Sequence, residues 1–518
     1  MKILEVNNID TIGRRFNGYD LMEYLNEDKN IIAKQIVLHK CSENNNVLGL
    51  AKLGEIEFVN RTSAQEDSIL STHSQVSLTT PMLLKNKFYQ ETDIIHFHMF
   101  HNSRFSLYSL LEIYKNKKIV ISLHDPWFVT GRCVHPFECE KWKSGCNNCK
   151  NLGTLFPMRY DNCHSLWELK KNIFANIKVD LIVNSRYMEN LVKNSQILQN
   201  QTTHFIPFGI DTNHFKASKN SLKLRKKYKI DNDNVVLFLR AQEAFKGTEY
   251  ILKALEEIKT DLKITILTCE QKGMFKSVKG RYQILDLGVI DSDTMLEAYQ
   301  LSDIFLMPSI GESFGFMAIE AMACEKPVVV FDNSALPSVT FTPECGVLVE
   351  NKNYHALADA ISMLINDKEE RQRRGELGRK LVLEHYDINK YNNAMKDMYS
   401  EINARKDKKI ENHYPKINKE KDLEVLKRKL ICMNRSLITC HTKEFDFLKT
   451  NRTYYKNRKY IIDYSNYEVQ ELLKKYNNTL AKFTSLGEKR HPLKTAINLV
   501  LYDQKKLFKI LKEKLGKR

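Results

Sequence analysis

Glycine and proline are scarce in this chain, 19 and 11 among 518 residues, which excludes collagen-like and linker-like classes. Long apolar runs are missing too. No uninterrupted stretch reaches the ~18–20 residues that a membrane-spanning helix needs. The opening MKILEVNNID brings acids soon after a short apolar stretch. That pattern does not fit a secretory signal, and the expected compartment is the cytosol. What is present is core material. Hydrophobic residues make up 42% of the chain and charged residues 28%. A wholly disordered chain is excluded, and at ~100–200 residues per domain the length predicts several domains.

Charge is unevenly placed. Residues 1–404 hold 50 Lys+Arg and 50 Asp+Glu, whereas residues 405–518 hold 30 and 13, so the last 114 residues carry the whole net charge of +17. Any inference from charge to partners therefore concerns this extension alone. LEVLKRKLI and EVQELLKKYNNTLAKF have helical periodicity, so the extension is expected to be mostly helical. Leu493, Ile497, Val500, Leu507, Leu511 and Leu515 fall near one helical stripe, with the lysines largely elsewhere. Such a helix suits either an anionic membrane surface or docking on the body with its lysines solvated. TYYKNRKYIIDYSNY interleaves aromatics with bases, as single-stranded nucleic acid would want. The neutral body offers no matching basic channel, so nucleic acid is not an expected partner.

The body reads as strands alternating with helices. KILEV, IIAKQIVL, DIIHFH, KIVISL and DLIVNS are strand-like, and SLYSLLEIYKN and SLWELKKNIFANI are helical. After the turn-like IPFGID at 206–211 the pattern restarts with VVLFLR, ITIL, IFLM and PVVVF. The prediction is α/β, with two doubly wound Rossmann-like domains over 1–206 and 207–385. A crossover helix over 386–404 and the basic extension 405–518 follow. Two such domains face a cleft, and open parallel sheets bind ligands beyond their strand C-termini.

The strand IFLMPS leads into Ile310-Gly311-Glu312-Ser313-Phe314-Gly315-Phe316 and then a helix. A strand, glycine loop and helix present backbone N–H groups and a positive dipole end, which suit a diphosphate. Glu312 and Glu320 could each accept hydrogen bonds from vicinal hydroxyls. Eight residues of helix would separate them by ~12 Å, about the span from a sugar to a ribose. Alone, the two acids would as readily be dipole partners and surface charge. Upstream, Arg240 at a strand end and Lys246 at a helix start could hold a phosphate leaving group, or be two exposed bases.

GESFGFMAIEAMACEKPVVV resembles the Glu-x7-Glu segment of the family-four retaining glycosyltransferases, which have the two-domain GT-B fold. FLRAQEAFKGTEYILKAL is similar to that family's Arg…Lys-Gly segment, NSRYMENLV to its Ser-Arg segment, HFIPFGIDTNHF to its interdomain link and ISLHDPWFVTGRC to its His-Asp segment. The resemblance spans roughly residues 1–400. It implies that Glu312 contacts the donor sugar and Glu320 the nucleotide ribose. It also implies that Ser313, Phe314, Gly315 and Phe316 lend amides, that Arg240 and Lys246 bind the diphosphate, and that His124 sits near the reacting centre. Transfer would proceed with retention and without a required metal, from a nucleotide-sugar to a glycan or lipid-linked acceptor. The setting would be cell-surface polysaccharide assembly, in the cytoplasm or peripherally on the inner membrane face. Other enzymes of the same fold, a phosphorylase or a nucleotide-sugar epimerase, are alternatives, as is a non-enzymatic scaffold that binds metal and a membrane surface. Two departures stand out. Phe208 occupies the link where Asn is usual. Thr11-Ile12-Gly13-Arg14-Arg15-Phe16 replaces a Gly-Gly loop, leaving Gly13 as the donor-side glycine and Arg14 or Arg15 as either a substitute phosphate contact or a solvated basic turn.

Cys133, Cys139, Cys146 and Cys149 lie within seventeen residues. Four thiolates match a closed tetrahedral structural zinc site, with His135 as a substitute ligand; reduced free thiols or two disulfides are the alternatives. The segment is similar to a Cys-rich insert found in a subgroup of the same transferases that builds bacterial surface polysaccharides. His96, His98 and His101 are expected to be cleft wall or satisfied core residues rather than ligands.

Overall fold

The structure, a computed structural model, describes residues 1–405 apart from 52–55, 57–58, 61–62, 65–70, 72–78, 155, 219–220, 240–243, 270–272, 276–277 and 279. The basic extension from 406 onward, with its expected helices, lies outside the described residues, and so does Arg240.

The first sheet has seven parallel strands: β1 (Lys2–Ile9), β2 (Ile32–His39), β3 (Val47–Gly49), β4 (Ile94–Phe97), β5 (Lys118–Ser122), β6 (Asp180–Val183) and β7 (Thr202–Phe205). Their order is β3-β2-β1-β4-β5-β6-β7. The second has six: β8 (Val235–Leu239), β9 (Ile264–Thr268), β10 (Gln283–Asp286), β11 (Ile304–Met307), β12 (Val328–Phe331) and β13 (Val347–Val349). They run β10-β9-β8-β11-β12-β13. Buried on both faces, β4, β6, β8, β9, β11 and β12 read as continuous apolar runs, as parallel strands covered by helices must. In each sheet the order reverses once, between β1 and β4 and between β8 and β11. Those two switch points are where loops diverge and leave a crevice.

The architecture is the GT-B fold, two Rossmann-like domains set face to face. Two chain crossings join them side by side. Ile210 N–H bonds the Tyr386 carbonyl at 2.8 Å, and Ile388 N–H bonds the Ile210 carbonyl at 3.0 Å. The helix Ile388–Ala404 then returns to the first domain. Tyr24 bonds Asn393 at 2.6 Å, Lys396 pairs with Asp28 at 2.6 Å, and Tyr399 reaches Glu5 on β1 at 2.8 Å.

Candidate active site

Past β11 the chain enters the loop Pro308–Gly315 and then the helix Phe316–Ala323. Glu312 lies in the loop and Glu320 in the helix, so the ~12 Å spacing expected of a continuous helix does not apply. Gly315 has φ 106°, a left-handed value, and a Cβ there would meet Leu336 at 2.6 Å. No side chain caps the helix, so its first amides and positive dipole end remain for a ligand anion. The loop is held from several sides. Ile310 N–H bonds the Phe245 carbonyl at 2.8 Å, Asn333 Nδ2 donates to the Ile310 carbonyl at 2.6 Å, and Ala335 N–H to the Glu312 carbonyl at 3.0 Å. From the first domain, Ser185 Oγ donates to the Ser313 carbonyl at 2.6 Å. The Ser313 hydroxyl itself is buried and unpartnered.

Lys246, ending the turn after β8, is ion-paired with Glu312, and both are partly buried. Glu320 is 2% exposed and held by the Tyr299 hydroxyl at 2.8 Å and by Arg15 from the first domain. Arg15 also lies 4.4 Å over the Phe316 ring, whereas Arg14 turns away to Asp20 and Glu23. Gly13 forms the turn that delivers them, at φ 73°, its carbonyl accepting from the N–H groups of Phe16 and Asn17. Phe314 and Phe316 pack with Phe208 at 5.2 and 5.0 Å between centroids. The Phe208 ring in turn stacks on His124 at 5.4 Å and an interplanar angle of 4°. The aromatic residue at the link position thus forms the floor joining His124 to the helix mouth.

His124 ends a buried relay. Glu5 Oε2 is 2.8 Å from His98 Nε2, and His98 Nδ1 is 3.1 Å from His124 Nε2. Tyr399 donates to Glu5 Oε1, while His96 lies against Glu5, Tyr399 and Ser122 at 2.9, 2.6 and 2.8 Å. Burial pushes the Glu5 carboxyl up, but hydrogen bonds and charge from His96 and His98 outweigh it and hold it at about 2. Burial, with His96 adding, brings His98 down to about 4 against the pull of Glu5. His124 is likewise well below the usual imidazole range, burial first and neighbouring histidines next. Ionised Glu5 requires an N–H on His98 Nε2, so His98 Nδ1 is an acceptor and His124 must carry its proton on Nε2. His124 Nδ1 is therefore left as a lone-pair acceptor.

One residue acquires a second setting. His135 packs against Phe245, ring centroids 5.3 Å apart and tilted by 40°, and a Cβ on Gly311 would meet it at 3.1 Å. Its buried Nδ1 has no partner, and burial lowers its pKa against opposing Glu312 and Asp125 charges. It thus faces the Lys246–Glu312 pair. Nothing local in the sequence reports this, because the contact spans two domains. Among the described residues, the one group of three potential ligand atoms within 4.8 Å of one another is Glu5, His96 and His98. Their nitrogens and oxygens already satisfy each other, so this group is a structural network, as expected for His96 and His98. His101 lies 3.4 Å from Asp125. Cys133, Cys139, Cys146 and Cys149 are free thiols in the structure, and no three of their sulfurs come within 4.8 Å of one another.

Residues 220–381 match the family model of the group 1 glycosyl transferases. The loop, Lys246, Glu312 and Glu320 all fall inside that segment. Over 91 residues, 16% of this chain and 22% of the relative, it is 39% identical to Escherichia coli K12 WcaC, named as a colanic acid biosynthesis glycosyl transferase. The curated relatives it matches are covered over 22–52% of their lengths. The sucrose-phosphate synthase of Thermosynechococcus elongatus has the same fold, with TM-score 0.57 and 18% identity over 78% of this chain and 99% of that one. So does Anabaena HepE, solved with UDP and glucose, at TM-score 0.52 and 16% identity over 77% and 100%. The family match and the curated relatives each cover part of the chain, and the two solved structures share its fold. Among the described residues no helix is long and apolar enough to cross a membrane.

Proposed function

We propose that this chain is a retaining glycosyltransferase that moves a sugar from a nucleotide-sugar donor to a glycan or lipid-linked acceptor in cell-surface polysaccharide assembly. The observation that carries the reading is the Lys246–Glu312 pair beside an uncapped helix mouth at the second sheet's switch point. A sugar diphosphate offers each of these paired charges a new partner. Lys246 exchanges Glu312 for phosphate oxygens, and the freed carboxylate accepts hydrogen bonds from sugar hydroxyls. Arg240 supplies a second cation, and Ser313, Phe314, Gly315 and Phe316 offer backbone amides. Glu320 takes the ribose hydroxyls when Arg15 turns from it to the diphosphate, with Gly13 setting that turn.

In the transfer step the acceptor oxygen bonds the anomeric carbon on the face from which the diphosphate oxygen leaves. The electrons of the breaking C–O bond stay on that oxygen, and the acceptor proton passes to it. The cations and helix amides meet the developing negative charge, so a catalytic metal is not needed. His124, with Nδ1 held as an acceptor, orients a sugar hydroxyl beside the reacting carbon. HepE's UDP complexes support a nucleotide diphosphate ligand, and the likeness to WcaC supports a polysaccharide product. A basic extension over 405–518 would keep a cytoplasmic enzyme on an anionic inner membrane face beside a lipid-linked acceptor. The test is donor turnover in Glu312→Ala and Lys246→Ala chains that keep the native melting temperature. Losses of about 100-fold or more are expected; full activity in both removes the assignment.

A further inference from the structure

Residues 129–162 run from the end of the turn after β5 to the helix Cys163–Ala175 with little regular structure beyond the short turn Lys141–Lys143. A segment this long and irregular inside a compact domain needs something besides a core to fix it. Its cysteines, with Cys163, line one cavity of about 460 Å³. Cys146 and Asn148, neither a glycine, hold left-handed φ of 51° and 50° around the Cys-x2-Cys turn. Such conformations persist only where the surroundings dictate them. Gly131 N–H points at Cys146 Sγ, 3.1 Å away, so that sulfur is already oriented as an acceptor.

The charge at this site points the same way. Lys170 is fully buried, and its ammonium donates to the carbonyls of Trp127 and Thr130 at 2.5 and 2.9 Å. Among the described residues no carboxylate comes within ion-pair reach of it. Arg132, 1% exposed, borders the cysteine cavity and donates to the carbonyls of Phe156, Asn151 and Thr154. A buried ammonium beside neutral thiols would be a costly arrangement. Four thiolates around a divalent ion carry a net charge of about −2, which Lys170 offsets in part.

We propose that Cys133, Cys139, Cys146 and Cys149 close around a structural zinc ion, with Lys170 as a buried counter-charge. The sulfurs draw together on binding. Cys163, buried with Met158 and Leu166 behind Cys146 and Cys149, is not one of the four ligands in this proposal. The site fixes the wall that carries His135 and Phe137 against Gly311 and Glu138 against Lys352, the latter pair 2.5 Å apart.

The test is elemental analysis of the full chain, purified under reducing conditions from zinc-supplied medium, with no reference to catalysis. One zinc per chain is expected, falling at least tenfold in Cys146→Ser/Cys149→Ser and unchanged in Cys163→Ala and Cys345→Ser. On the native chain, chelation should expose Cys133, Cys139, Cys146 and Cys149 together to an alkylating reagent, a result that does not depend on the variants folding. Absence of zinc, iron with sulfide in its place, zinc retained by the double variant, or four thiols equally reactive before and after chelation each overturn the proposal.

Discussion

At the scale of single residues, the relay Glu5–His98–His124 connects sequence to chemistry most directly. Glu5→Gln removes the charge that orders the tautomers while keeping the size of the side chain. It leaves Tyr399, His96 and His98 with a neutral acceptor, and a loss of about 3 kcal/mol is expected in denaturant melts. Turnover should fall while donor KM moves little, because the proposed phosphate contacts at Lys246 lie elsewhere. The same network sets an acid limit. In the folded chain burial brings His98 down to about 4 and the neighbouring histidines hold Glu5 at about 2, both below their ordinary ranges. The unfolded chain therefore binds more protons as pH falls, and stability declines from about pH 6.5 downward, first through His98 and then through Glu5. Melting temperature against pH checks this; a flat profile from 7 to 4 would contradict it. Sequence pattern placed His96 and His98 on one strand and no further. Their satisfaction by Glu5, at a separation of 93 residues for His98, is a tertiary fact.

Elements show which signals a sequence can carry. The nine strands legible as apolar runs include every interior strand of both sheets. The four that were not, β3, β7, β10 and β13, are the four sheet edges. Each has only three or four residues, and most of their positions are exposed or half-buried. An edge strand lacks a second neighbour, so it need not be apolar on both faces. The helix mouth after β11 was legible because glycine and a buried strand announce it. Arg15, 305 residues from its partner Glu320, was not. Gly315 is the element-level test: Gly315→Ala meets both a left-handed φ and Leu336. A cost of about 1–3 kcal/mol is expected, with weakened donor binding as the helix start shifts. Thermal unfolding at native stability would show that the turn tolerates a side chain.

For the whole molecule, the two domains communicate through three kinds of contact. The side-by-side crossings at Ile210 and Ile388 set the hinge, the helix Ile388–Ala404 ties the end of the body to β1, and the pairs Arg15–Glu320 and Ser185–Ser313 bridge the cleft. Tyr399→Phe removes a hydroxyl that serves Glu5 and His96 together, and should cost about 1–3 kcal/mol in thermal or denaturant unfolding. An unchanged midpoint would mean that this hydroxyl does not hold the returning helix. The central claim is that Lys246 and Glu312, set at the helix mouth, hold the diphosphate and sugar of a nucleotide-sugar. It is tested most directly by melting the native and Lys246→Ala chains with UDP-, GDP- and ADP-sugars. One nucleotide class should raise the native melting temperature in a concentration-dependent way, by about 2.7 kcal/mol of added stability at a hundredfold excess over Kd. The shift should be largely lost in Lys246→Ala. No shift with any of the three, or the same shift in both chains, would contradict the account.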